Sequence, residues 1–88
     1  MTLRLTRQAK SDLKAIYHYT VENFGEGQAR EYLDGLDYSF DLLTDNPKMG
    51  RLFDESIRRY IYKSHLVYYE IRDNQLIIIR IRNARQKA

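Results

Sequence analysis

Ile57-Arg58-Arg59-Tyr60-Ile61-Tyr62, Leu66-Val67-Tyr68-Tyr69-Glu70-Ile71 and Leu76-Ile77-Ile78-Ile79-Arg80-Ile81 decide the fold. Each run is short and rich in β-branched and aromatic residues, so the segment reads as three strands. Asp73-Asn74 marks a hairpin turn between the second and third. A strict two-residue turn sets Ile71 opposite Leu76 and leaves neither face uniformly apolar. An odd loop or a bulge puts Val67, Tyr69 and Ile71 on one face with Ile77, Ile79 and Ile81, and that register is the one expected. The opposite face then carries Tyr68, Glu70, Arg72, Ile78, Arg80 and Arg82.

Upstream of these strands the apolar period is helical. Ala9, Leu13, Ile16, Tyr17, Thr20 and Phe24 fall on one face, and Ala29, Tyr32, Leu33, Leu36, Phe40 and Leu43 form a second stripe. Thr6 is placed to cap the first helix. Gly25 and Gly27 separate the two, and a turn of three to four residues makes them an αα-hairpin. Glu31, Asp34, Asp37, Asp41 and Asp45 give the second helix an acidic outer side, and Asn46-Pro47 stops it. Leu3-Arg4-Leu5 alternates and reads as a short first strand. The expected architecture is α+β, in the order β-α-α-β-β-β, with an antiparallel sheet covered on one face by the helical hairpin. Residues 1–88 read as a single domain, because two cores in 88 residues would each be too small to stand alone.

Composition narrows the function. There is no Cys, which excludes a disulfide framework, a zinc ribbon and a thiol nucleophile. His18 and His65 are isolated, so neither a metal nor a cofactor is expected. No membrane span or secretory leader is legible, which implies a cytoplasmic protein. Net charge is +3 but unevenly spread. Residues 1–50 hold six basic and eight acidic side chains, a balance of −2; residues 51–88 hold nine and four, a balance of +5. Seven of those nine are Arg, whose planar fork suits phosphates and carboxylates. An anionic partner is one reading of this half, and a solvated strand face is the other.

Several stretches together resemble one family. They are Ala9, Asp12-Leu13, Ile16 and Tyr19; Gln28-Ala29, Tyr32 and Leu36; Asn46-Pro47-Lys48-Met49-Gly50-Arg51; Ile57-Arg58; His65-Leu66-Val67-Tyr68-Tyr69 with Ile71; and Ile77, Ile79, Ile81, Asn83 and Arg85. In this order and spacing they resemble the ParE branch of the RelE/ParE toxin–antitoxin superfamily, often labelled plasmid-stabilisation proteins. The resemblance spans nearly the whole chain. It implies the toxin of a type II toxin–antitoxin pair, neutralised by a cognate antitoxin protein. ParE-type toxins act on DNA gyrase and trap it with cleaved DNA, so contact with DNA would be indirect, through gyrase. RelE-type relatives cut mRNA in the ribosome instead, and a plain interaction module is the third class in play.

The residues bear on that choice. A ribonuclease needs a base, cations on the scissile phosphate, and usually a late His or aromatic side chain. Here the last aromatic is Tyr69, the last His is His65, and Asn83 stands where many relatives carry His. Ribonuclease activity is therefore disfavoured; were it present, His65, Arg59 and Arg82 would carry it. The other reading of His65 is a partly buried turn residue. Tyr60, Tyr62, Tyr68 and Tyr69, interleaved with arginines, read either as a stacking platform or as cross-strand packing. Arg80, Arg82 and Arg85, with Arg58 and Arg59 beside them, are the candidates for gripping gyrase or another anion. Tyr19, Tyr38, Tyr68 and Ile78 are the candidates for apolar surface that an antitoxin covers.

Overall fold

Thr6 joins strand to helix. Its Oγ1 accepts from Ala9 N at 3.0 Å, which caps the first helix, and donates to Ile79 O at 2.7 Å, which ties that helix start to the last strand. The computed structural model describes residues 1–85. Strand β1 (Thr2–Leu5) leads into helix α1 (Arg7–Phe24) and helix α2 (Glu26–Asp45). Strands β2 (Arg51–Leu52), β3 (Ile57–Tyr62), β4 (His65–Arg72) and β5 (Gln75–Asn83) follow. The sheet order is β1-β5-β4-β3-β2. The α+β class and the helical hairpin on one face are as expected. The sheet is mixed rather than purely antiparallel, because β1 runs parallel to β5.

Only Gly25 separates the helices, at φ 90°, a conformation that costs glycine nothing and other residues much. The anticipated longer turn is absent, and Gly27 lies inside α2. The stripes pack as read: Ala9 and Ile16 of α1, and Leu36, Phe40 and Leu43 of α2, meet Val67, Tyr69, Leu76, Ile78 and Ile81 of the sheet. Phe24, in the last turn of α1, is the exception and is 62% exposed.

The register differs from expectation. Asp73 and Asn74 both take positive φ, 51° and 59°, and close a strict two-residue turn with Ile71 opposite Leu76. The irregularity comes later, where the register shifts between Tyr68 and Tyr69. Tyr69 stands opposite Ile78, Tyr68 opposite Arg80, and Ile79 is the extra residue between them. Leu76 and Ile78 therefore face the helices before the bulge and Ile81 after it, while Ile77 faces away. Ile78 is fully buried in the core and cannot be antitoxin-binding surface. A bulge inside the strand, rather than at the turn, flips the face only from Ile79 onward.

Tyr69 explains the Pro-x-x-Gly segment. Its hydroxyl donates to Pro47 O at 2.6 Å and accepts from Gly50 N at 2.9 Å. Arg58, on the same face of β3, donates to Gly50 O at 2.7 Å. The loop after α2 is thus fastened to the sheet by one phenol and one guanidinium.

Candidate functional site

The helix-free face of the sheet is organised in rows by its register. Arg51 stands opposite Arg59, Arg59 opposite Tyr68, and Tyr68 opposite Arg80. Opposed residues project to the same face, so these four form a row across four strands, three strand spacings or roughly 14 Å long. A neighbouring row holds Ile61, Leu66 and Arg82; on the other side lie Ile57, Glu70, Ile77 and Arg4. An open groove of about 340 Å³ runs over this face, with Phe53, Ile57, Leu66, Tyr68 and Ile79 among its lining and Arg80 and Arg82 beside them. Phe53 meets Tyr68 edge to face at 5.2 Å, and the Arg59 guanidinium lies 5.4 Å from the Phe53 ring centroid.

The charges there are unbalanced. Glu70 is paired with Arg72 at 3.3 Å. Asp54 Oδ1 accepts from Ser56 N and Ile57 N, which holds the loop that brings Phe53 over the sheet. Among the described residues, Arg51, Arg59 and Arg82 have no carboxylate partner.

The arginines named from sequence fall in different places. Arg59 and Arg82 share the open face. Arg80 belongs to the same face by register but reaches the sheet edge, where its Nε lies 3.6 Å from Asp12 Oδ2. Asp12 also accepts from Ile81 N at 2.9 Å, so it seals the β5 edge beyond the end of β1. Arg58 is not on the open face: alternation turns it toward Tyr69 and the Pro47–Gly50 loop, where it is structural. Arg85 is exposed in the turn after β5, its N–H donating to Asn83 Oδ1 at 2.8 Å. Lys87, counted in the basic half, lies outside the described residues.

His65 is on the helix side. Its Nδ1 is 2.7 Å from the Tyr32 hydroxyl, the two rings meet edge to face, and burial lowers its pKa from the ordinary 6.5. Alternation along β4 puts Tyr68 on the opposite face. The trio His65, Arg59 and Arg82 is therefore not assembled, since the histidine and the arginines occupy opposite faces. A second cleft, of about 450 Å³, joins His65 to Asp12, Tyr19, Arg80 and Asn83 at the α1 edge. Tyr19 and Tyr38 are 62% and 64% exposed, on α1 and α2, and Tyr68 is half-buried on the open face. Tyr62 and Tyr69 point to the helices, so the four tyrosines form no single platform. Sequence reading missed Arg51 and Phe53 as site residues. Arg51 opens, and Phe53 follows, a strand of two residues, too short to show any period; the cue was Arg51 directly following Gly50.

Comparison with known proteins agrees with this architecture. The family model described as ParE toxin of type II toxin-antitoxin system, parDE, matches residues 3–88. Toxin ParE1 of Caulobacter vibrioides is 35% identical over 72 residues, covering 77% of this chain and 74% of that one. Toxin ParE1 of Mycobacterium tuberculosis is 29% identical over 85 residues, covering 92% and 87%. Among solved structures, a chain of the chromosomal ParDE TA system from P. aeruginosa superposes with TM-score 0.84 at 24% identity, covering 94% and 95%. HP0894 from Helicobacter pylori shares the fold at TM-score 0.59 and 18% identity, covering 94% and 93%. This chain belongs to the ParE toxin family of type II toxin–antitoxin systems.

Proposed function

We propose that this toxin inhibits DNA gyrase by binding rather than by chemistry, stabilising the complex of gyrase with cleaved DNA. The observation that carries the reading is the open sheet face, where Arg51, Arg59 and Arg82 lack carboxylate partners among the described residues and lie on the same face as an apolar groove, with no acid–base pair beside it among those residues. Electrostatic grip needs only such cations; RNA cleavage also needs a proton acceptor in reach of the 2′-hydroxyl. His65 is turned away with its Nδ1 engaged by Tyr32, Glu70 is ion-paired, and Asp54 caps its own loop. Gyrase places the site of action in the cytoplasm. Among the described residues no helix is long and apolar enough to cross a membrane.

The cognate antitoxin is an acidic, amphipathic segment that orders on binding. Tyr19, Tyr38 and Tyr68 offer apolar contact, and the arginine-rich sheet layer offers charge. The test is a supercoiling assay with purified toxin, alone and with antitoxin. Loss of supercoiling and accumulation of cleaved DNA, both reversed by antitoxin, are expected. Cleavage of mRNA on ribosomes with gyrase unaffected would contradict the proposal.

A further inference from the structure

The geometry points to a seat for single-stranded DNA on the open sheet face. An unpaired base lies in the groove against Phe53 and Tyr68, and the guanidinium groups of Arg51, Arg59 and Arg82 take the neighbouring phosphates. The choice of DNA rests on the gyrase reading, since a double-strand break with staggered cuts leaves unpaired bases once its ends part. It makes contact with DNA direct, rather than only through gyrase.

Three observations carry the seat. First, its cations are available: Arg51, Arg59 and Arg82 lack carboxylate partners among the described residues, while the nearby acids Glu70 and Asp54 are engaged by Arg72 and by backbone amides. Guanidinium groups on one sheet face without counter-charges attract a polyanion, and each can bind a phosphate through two parallel donors. Second, aromatic surface is presented rather than packed. Phe53 is 55% exposed although it touches Tyr68, and Arg59 lies over its ring. Every base has a π-face, so such a pair stacks bases with little regard to sequence. Third, the groove floor between them is aliphatic, formed by Ile57, Leu66 and Ile79. Asn83, at the groove rim, stands opposite His65 and so belongs by register to the helix side, and its Oδ1 accepts from Arg85 N. The seat is therefore sequence-tolerant. It also favours unpaired strands, because an intact duplex offers phosphates but no free base face.

The test is fluorescence anisotropy of labelled oligo-dT titrated with the full-length toxin, freed of antitoxin and checked for folding by circular dichroism. Three neutralised phosphates give a slope of log K against log salt near −2, about 0.7 per phosphate on a single strand. The double variant Arg59→Gln, Arg82→Gln loses at least about tenfold in affinity and about 1.4 of that slope. Phe53→Leu weakens binding about tenfold and leaves the slope unchanged. Equal affinity for a duplex of the same length, tighter binding to oligo-rU, or a double variant that binds like the parent would each overturn the seat. Gyrase inhibition by a toxin without affinity for oligo-dT removes this inference and leaves the gyrase reading intact. Affinity for oligo-dT with no effect on gyrase does the reverse.

Discussion

Tyr69 and Gly50 fit each other so closely that neither tolerates ordinary substitution. The Tyr69 hydroxyl is 2.9 Å from Gly50 N, and a Cβ at residue 50 would stand 2.6 Å from the same oxygen. Tyr69 is fully buried and cannot swing away. Gly50→Ala is expected to destabilise the fold by about 1–3 kcal/mol, as overpacking does. Tyr69→Phe keeps the ring but strips Pro47 O and Gly50 N of their partner, at about 1–3 kcal/mol. Urea denaturation of both variants checks this, and a midpoint equal to the parent's in either would refute it.

Adjacent arginines should separate cleanly. Arg58→Ala removes the donor to Gly50 O, and with its half-exposed side chain costs about 1 kcal/mol of stability. Arg59→Ala touches no buried contact and should leave the unfolding midpoint within about 0.5 kcal/mol of the parent, yet weaken gyrase inhibition. Denaturation and supercoiling measured on the same preparations distinguish them. The reverse pattern would put the functional face on the wrong side of β3.

Asp12 ties helix α1 to the β5 edge across 69 residues. Asp12→Ala leaves Ile81 N unpaired and Arg80 without its anion, for about 1–3 kcal/mol. Asp12→Asn keeps an acceptor for Ile81 N and should recover most of the loss. Amide hydrogen exchange at Ile81 reads the difference directly, and unchanged protection in the Ala variant would contradict the assignment.

The pH dependence follows from two shifts of known direction. Burial lowers the His65 pKa below 6.5, so as pH falls through 6.5 the unfolded chain takes up a proton that the folded one resists. Stability on this account is full above 6.5 and declines in acid. Burial raises the Tyr69 pKa above 10.0, against the smaller opposing effects of the Gly50 amide and Arg58. The unfolded chain therefore ionises first in alkali, and stability declines as pH rises through 10.0. His65→Gln should flatten the acid limb alone and Tyr69→Phe the alkaline limb alone. Unfolding midpoints across pH provide the measurement.

Much of this was legible from residue type and spacing. The helical stripes, the Thr6 cap and the helix stop at Asn46-Pro47 follow local rules that tertiary packing did not override. The β5 face was not legible, because Leu76–Ile79 is apolar at every position and period two carries no information in such a run. Ile77 and Ile78 are both buried, on opposite faces, so either assignment satisfied hydrophobicity. Arg58 and Arg59 were grouped by proximity, although strand alternation sends neighbours to opposite faces. The pairing of Arg80 with Asp12 and of His65 with Tyr32 joins residues far apart in the chain, and no local pattern announces such meetings.

The parallel pairing of β1 with β5 has a kinetic consequence. The helical hairpin and the β3–β4–β5 meander each close through short turns and can form early. The first strand cannot, because its anchor from Thr6 to Ile79 spans 73 residues and the Asp12 tie spans 69. Closing such loops costs chain entropy before any contact repays it. A late intermediate should therefore have hairpin and meander in place while the β5 edge near Ile78 and Ile81 is still bare. In that interval the chain carries an open sheet edge, which makes the time between synthesis and docking of β1 its period of greatest exposure to proteases and to mispairing.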